Sequence, residues 1–331
     1  MSDTFIPSFW MKNKHLQTLY QTFFRKIIKT NFEVEKFILE DGDFLESYWL
    51  KTKNSNTTTP LVIIFHGLAG SYKSPYINGI MHSLTKAGYN TVLMHFRGCS
   101  GKVNTLPRSY HSGETGDALY FINSLKNRFP ETRLFAVGYS LGGNMLLKLL
   151  GEFKDNSPLS GAVSISPPME LDTCANAINQ GFSHIYERHL VNDLKKGLIK
   201  KYAVNDIESY IGINIKGVKK LKTFWEFDSV YTAPIHGFES SQDYYTKCSS
   251  RQFLKDIHTP TLIIHSSDDP FMNTQMIPKK NEMSKNVHLE LTKHGGHVGF
   301  IAGTFFSPEY YSEIKIVNFF KTLDKKLHNK N

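Results

Sequence analysis

Cysteine is scarce in this sequence: Cys99, Cys174 and Cys248 are the only three in 331 residues. An odd, scattered set of thiols excludes a disulfide framework and points to reduced cysteines in a cytoplasmic setting. No run approaches the ~18 uninterrupted apolar residues of a membrane-spanning helix, which excludes an integral membrane protein. The opening MSDTFIPSFWMKNKHLQTLY lacks the continuous apolar stretch of a signal peptide, so no export signal is expected. A Walker loop, a dinucleotide fingerprint and an HExxH pair are also missing. The pairs His184/His189 and His294/His297 have no carboxylate at ligand spacing, so neither cofactor nor metal is expected. Acidic residues are in the minority, 30 against 39 Lys and Arg, for a net charge of +9. The lysines are scattered apart from a tail cluster, Lys325, Lys326 and Lys330. The excess therefore reads as a solvated basic surface, open to peripheral contact with anionic lipid, and not as a nucleic-acid-binding face.

What is present is an ordinary globular balance, 40% hydrophobic and 21% charged, on a chain long enough for one domain with insertions. Short β-branched runs at residues 61–65, 91–94, 134–137, 162–165, 262–264 and 287–291 predict buried strands. Apolar residues three and four apart at 76–87, 116–129 and 142–153 predict the helices between them. This alternation gives an α/β fold with a doubly wound, mostly parallel sheet. Residues 32–39 and 44–50, parted by Asp41-Gly42, predict an antiparallel hairpin at its entrance. Residues 308–327 predict a closing amphipathic helix. The pattern breaks over 169–255, a helix-rich, aromatic stretch between two strands. It is expected to be a helical lid inserted into a single domain spanning 1–331. Ligands of open α/β sheets bind beyond the carboxyl ends of the strands, so chemistry is sought on the turns that follow them.

One such turn is Gly138-Tyr139-Ser140-Leu141-Gly142, between a strand and a helix, the context of a nucleophile elbow. Glycines are needed there because a Cβ at either place would strike backbone, and the helix start aims N–H groups at a developing oxyanion. A serine hydroxyl needs a base, held in turn by a carboxylate. His297 fits the base: it lies in the glycine-rich loop His294-Gly295-Gly296-His297 after the last strand, with His294 as local rival. The carboxylate follows the penultimate strand, where Asp268 and Asp269 compete. Asp269, directly before Pro270, is preferred, and Asp268 would cap the loop or face solvent. The chain order Ser140, Asp269, His297 is that of the α/β-hydrolase fold. A second oxyanion donor is expected from the loop after the first parallel strand, so the backbone N–H of Leu68 would join that of Leu141. His66 is expected to be structural, packed under that loop. Such a constellation predicts a serine esterase acting on a small-molecule ester. Its rivals are an alcohol acyltransferase with the same triad and a non-catalytic binding protein that kept the fold.

With these residues in place, the chain resembles the YheT-like branch of the α/β-hydrolases, which also holds ABHD-type animal enzymes and yeast medium-chain ester synthases. The likeness is carried by Phe9-Trp10 with KHLQTL at 14–19, FHGLAGS at 65–71, FRGCSG at 96–101 and YHSGETGD at 110–117. It continues in GYSLGGNML at 138–146, FDSVYTAPIHGF at 227–238, DYY at 243–245, DDPF and GGHVGF. It implies carboxylic-ester hydrolysis, with medium-chain acyl esters or lipids as substrates and Ser140, an aspartate of the 268/269 pair and His297 as the triad. Many eukaryotic relatives carry an N-terminal membrane anchor, whereas this sequence begins at the Trp10 motif. Two family segments, His15 to Thr18 and His111 to Asp117, have no role derivable from the sequence. For His111 a supporting role behind the catalytic groups and a packed, hydrogen-bonded one both stand open. The aromatics Phe182, Tyr186, Phe224, Trp225, Phe227 and Tyr231 suit either an acyl pocket or packing of the lid on the body.

Overall fold

The computed structural model describes residues 5–328. Strands β1 (Glu33–Ile38) and β2 (Phe44–Leu50) form the expected antiparallel hairpin, and β2 pairs antiparallel with β4 (Asn90–Met94). From there β3 (Leu61–Phe65), β5 (Leu134–Tyr139), β6 (Leu159–Ile165), β7 (Thr261–Ser266) and β8 (Val287–Thr292) continue in parallel. The resulting eight-stranded sheet has the order β1-β2-β4-β3-β5-β6-β7-β8.

The strand sequences explain the layering. Every residue of LVIIF in β3 is buried, and its side chains divide by the period of two. Leu61, Ile63 and Phe65 join one apolar cluster with α3 (Thr115–Arg128) and α4 (Leu141–Phe153). Val62 and Ile64 join another with α2 (Pro75–Lys86) and the C-terminal helix. A strand covered on both faces has no polar side to display, which is why these runs are continuously apolar.

Between β6 and β7 the chain is helical: α5 (Leu171–Ile178), α6 (His184–Lys201), α7 (Ile207–Ile211), α8 (Ile215–Lys220), α9 (Phe224–Phe227), α10 (Ala233–Ile235) and α11 (Ser241–Cys248). These helices bury small clusters of their own, one around Leu198, Val218 and Phe227, another around Leu171, Tyr244 and Tyr245. Upstream of the sheet lies α1 (Lys14–Phe24), its start capped by the Asn13 side chain, which accepts from the N–H groups of His15 and Leu16.

The closing helix needs one correction. It begins at Tyr311 as α12 (Tyr311–His328), not at Pro308. Residues Pro308–Tyr310 form β10, which pairs antiparallel with β9 (Ile301–Gly303). Proline can open a short strand without needing its missing N–H, and the helical periodicity of the segment hid that turn.

Candidate active site

The Ser140 backbone sits at φ 50°, ψ −117° between β5 and α4. A non-glycine residue held there is strained, and the strain lifts its hydroxyl clear of the sheet. The turn is as tight as the sequence demands. A Cβ on Gly138 would come within 2.4 Å of the Gly142 carbonyl oxygen, and one on Gly142 within 2.5 Å of the His66 oxygen. Ser140 N–H donates to the Ile165 carbonyl at 2.8 Å, tying the elbow to the neighbouring strand.

Residues from the ends of three strands meet here. His297 Nε2 lies 2.9 Å from Ser140 Oγ, and His297 Nδ1 lies 2.8 Å from Asp269 Oδ2. A carboxylate can only accept, so Nδ1 carries the proton and Nε2 is left to accept from the serine hydroxyl. Asp269 and His297 are buried, and the His297 ring stacks on Phe271 with centroids 4.1 Å apart. Asp269 is itself fixed by the Phe271 N–H, which donates to Oδ1 at 2.8 Å. The adjacent carboxylate does different work. Asp268 accepts from the Gly296 N–H at 2.9 Å and lies 3.3 Å from His294 Nδ1, bracing the loop that carries His297.

On the other side of Ser140, the loop after β3 offers its amides. Gly67 N–H donates to Tyr76 Oη at 2.9 Å and Ala69 N–H to Tyr110 Oη at 2.8 Å. The Leu68 N–H between them has no acceptor among the described residues. Leu141, the first residue of α4, presents an amide that a helix start leaves without a partner in its own helix. His66 is fully buried and satisfied at both nitrogens, by the Gly67 carbonyl at 2.7 Å and the Phe96 N–H at 3.1 Å. Burial, with His95 nearby, lowers its pKa to about 3, so it stays neutral.

Sequence reasoning left the KHLQTL segment unexplained. In the fold, α1 is the clamp on the His297 loop. His297 N–H donates to Thr18 Oγ1 at 2.9 Å. Gln17, wholly buried, donates to the carbonyls of Met11 and Ile301 at 2.8 and 3.0 Å and accepts from the Ile301 N–H at 2.7 Å. Gln21 donates to the Val298 carbonyl at 2.9 Å. Backbone meets backbone here: a Cβ on Gly299 would lie 2.4 Å from the Gln17 oxygen. Only the residues of GGHVGF beside this helix could have signalled it, and they lie some 280 positions away in the sequence.

The second unexplained segment, YHSGETGD, buttresses the opposite wall. Asp117 forms a two-bond ion pair with buried Arg97, 2.7 Å at each bond, and Arg97 also reaches Asp43 at 3.0 Å. Burial acts to raise the Asp43 pKa, but hydrogen bonds from Asn104, Thr105 and Phe44 outweigh it and hold the group at about 2. His111 is packed and bonded, accepting from the Gly113 N–H at 3.1 Å. His111, Glu114 and His236 come within ligand distance of one another. The Arg108 guanidinium already holds Glu114, and burial together with Arg108 and Lys148 lowers the His111 pKa to about 3. That cationic surround opposes a metal ion there.

Ser140 and His297 open on a cavity of about 1110 Å³ that also reaches Leu68, Leu141 and the helices between β6 and β7. Phe182, Tyr186, Phe224, Phe227 and Tyr231 all line it, while Trp225 instead donates to Asn176 and packs on Tyr245. Five of those six aromatics therefore do both jobs at once, facing the cavity and packing the helices together.

Residues 60–304 match the family model for the α/β hydrolase fold. YheT of Escherichia coli (strain K12) is 42% identical over 97% of this chain and 94% of its own length. A monoacylglycerol lipase of Saccharomyces cerevisiae is 30% identical over 75% of this chain and 56% of its own. Among solved structures, an esterase of Pyrococcus furiosus, Pf2001, superimposes with a TM-score of 0.58 at 19% identity, covering 88% of this chain and 91% of that one, a likeness of fold. The chain belongs to the α/β-hydrolase family, on its esterase and lipase side. Within that family its place is the YheT-like branch, which it matches almost end to end.

Proposed function

We propose that this protein is a serine esterase that cleaves small carboxylic esters, with short- to medium-chain or lipid-like acyl groups, through an acyl-enzyme on Ser140. The observation that carries the reading is the hydrogen-bonded order Asp269, His297, Ser140 opening on a largely apolar cavity. In this mechanism His297 Nε2 takes the Ser140 proton as Oγ attacks the ester carbonyl, and the amides of Leu68 and Leu141 receive the charge that develops on oxygen. His297 then returns the proton to the departing alcohol, leaving the acyl group on Ser140. Water, deprotonated by the same imidazole, releases the acid. Asp269 keeps the ring in the tautomer that can accept and stabilises the imidazolium. The helices over residues 169–255 act as a lid that supplies the acyl-binding aromatics, within one domain. A cytoplasmic location accords with the odd, unpaired thiols.

Ser140→Ala should lower turnover of p-nitrophenyl butyrate by a factor on the order of 10⁶, as loss of a triad nucleophile does elsewhere. It should also abolish labelling by a fluorophosphonate probe. Wild-type turnover in the folded variant would refute the proposal. Product analysis with added ethanol separates hydrolysis from acyl transfer by the same residues.

A further inference from the structure

Helix α1 has an inner face that clamps the His297 loop and an outer end that stands exposed. Phe23 and Phe24 close that helix with relative exposures of 69% and 53%. Phe24 packs edge-on against Phe305 at 5.6 Å, and Phe305 touches both Trp10 and Phe306. Phe306, at the tip of the turn between β9 and β10, is 95% exposed, and Phe9 beside Trp10 is 86% exposed. Isolated exposed apolar residues are ordinary, but a connected run of aromatic rings on two neighbouring segments marks an interaction surface.

Two further observations say what that surface meets. The run is continuous with the catalytic cavity, because Phe23, Thr22 and Leu19 of the same helix line it, together with Phe182 and with Ile185 of α6. The charge of its N-terminal segment has one sign, with Glu309 on the β9–β10 hairpin as the acidic exception nearby. Residues 5–32 contain five Lys or Arg and no Asp or Glu. Of the five, Arg25 is paired with Glu313, while Lys12, Lys14, Lys26 and Lys29 are exposed and in no ion pair among the described residues. Protruding phenylalanines interleaved with unpaired lysines are the composition that seats a protein in the headgroup layer of an anionic bilayer.

We infer that Phe9, Phe23, Phe24, Phe305 and Phe306, with the lysines around them, form a docking surface for an anionic lipid membrane, which sets the cavity mouth against the bilayer. The aromatic rings enter the acyl boundary, and the lysines lie at the level of the phosphates. An apolar ester could then pass from membrane to cavity along Phe23 without crossing water. This inference stands apart from the catalytic assignment, because vesicle binding is measured without turnover.

The test is co-sedimentation of the full chain with vesicles of phosphatidylcholine alone and of phosphatidylcholine mixed with phosphatidylglycerol. The wild type should bind the mixed vesicles, and added salt should weaken that binding. Phe9→Ser with Phe306→Ser should reduce the partition constant about tenfold or more. Lys26→Glu with Lys29→Glu should cut binding to mixed vesicles while leaving the aromatic surface intact. Both double variants should keep wild-type hydrolysis of soluble p-nitrophenyl butyrate and wild-type thermal unfolding, since none of these side chains reaches Ser140. Absence of wild-type binding to the mixed vesicles would overturn the inference, as would variants that bind like the wild type. Self-association abolished by the phenylalanine substitutions, without vesicle binding, would overturn it in favour of a second copy of the chain.

Discussion

Two adjacent carboxylates, Asp268 and Asp269, differ in what they hold, and that difference is measurable. Asp269 faces the imidazole, so Asp269→Asn would present an amide that can stabilise the wrong tautomer. Turnover should fall by roughly 10⁴ with stability little changed. Asp268 faces the backbone of the same loop through Gly296, so Asp268→Asn should act mainly by loosening the loop, with a far smaller loss of turnover. A ratio of effects near one in steady-state kinetics would show that the two share a role. Thr18 is a third residue with a specific expectation. Thr18→Val removes the acceptor for the His297 N–H while keeping the side chain's shape. Turnover number should drop about tenfold with KM unchanged, because Thr18's hydroxyl is already taken up by the His297 N–H and the Lys14 carbonyl; the loss follows from an imidazole that wanders by a fraction of an ångström. A matching rise in KM would place Thr18 in substrate binding instead.

At the scale of elements, the fold rests on two long-range clamps, and each predicts a stability loss. Gln17 satisfies three backbone groups of segments that would otherwise end buried and unpaired. Gln17→Ala should cost about 2 to 3 kcal/mol in denaturant unfolding, the penalty of leaving such groups without partners. Arg97 neutralises two buried aspartates, and Arg97→Met should cost about 3 to 5 kcal/mol by stranding Asp43 and Asp117. These clamps also mark where the sequence stops being legible. The strands from 61 to 292 and the helices between them follow from local periodicity, because a strand covered on both faces and a helix covered on one must each show it in consecutive residues. The elbow at Ser140 is legible for a partly local reason: Gly138 is required by atoms four and five residues on, whereas Gly142 is required by the Phe65 and His66 backbone of the neighbouring strand end. The pairing of α1 with the His297 loop, and of Arg97 with Asp43, depends on residues brought together only by the finished fold. A buried glutamine carries no periodic signature to announce its partner. The strand at 308–310 was lost for the opposite reason: its three residues continue the apolar spacing of α12.

For the whole molecule, three buried histidines, His66, His95 and His111, and the half-buried His236 set the response to acid. Burial is the leading cause in each case: it lowers the pKa of His66 and His111 to about 3, of His95 to about 4 and of His236 to about 2, from an ordinary 6.5. The folded state therefore refuses protons that the unfolded chain accepts below pH 6.5. The stability these groups contribute is fully present above that pH and lost as pH falls toward the folded values. Four such groups cost about 5 kcal/mol per pH unit once the unfolded histidines are protonated. Asp228 works in the other direction. Burial raises it to about 6, against the hydrogen bonds from Thr232 and Tyr245, so the folded state gains a proton as pH drops toward the ordinary 3.8, and the net slope falls to about 4 kcal/mol per unit. Against a total stability of roughly 5 to 15 kcal/mol, unfolding is expected between about pH 5 and 3. His236 is the informative position, because its Nε2 has no hydrogen-bond partner among the described residues and its replacement strands nothing. His236→Leu should move the acid-unfolding midpoint, followed by tryptophan fluorescence, to lower pH, and should reduce the proton uptake on unfolding near pH 5 by about one. A variant with the wild-type midpoint and uptake would mean that the imidazole is already protonated in the folded protein, against the neutral form that its desolvation beside His111 and Arg108 implies.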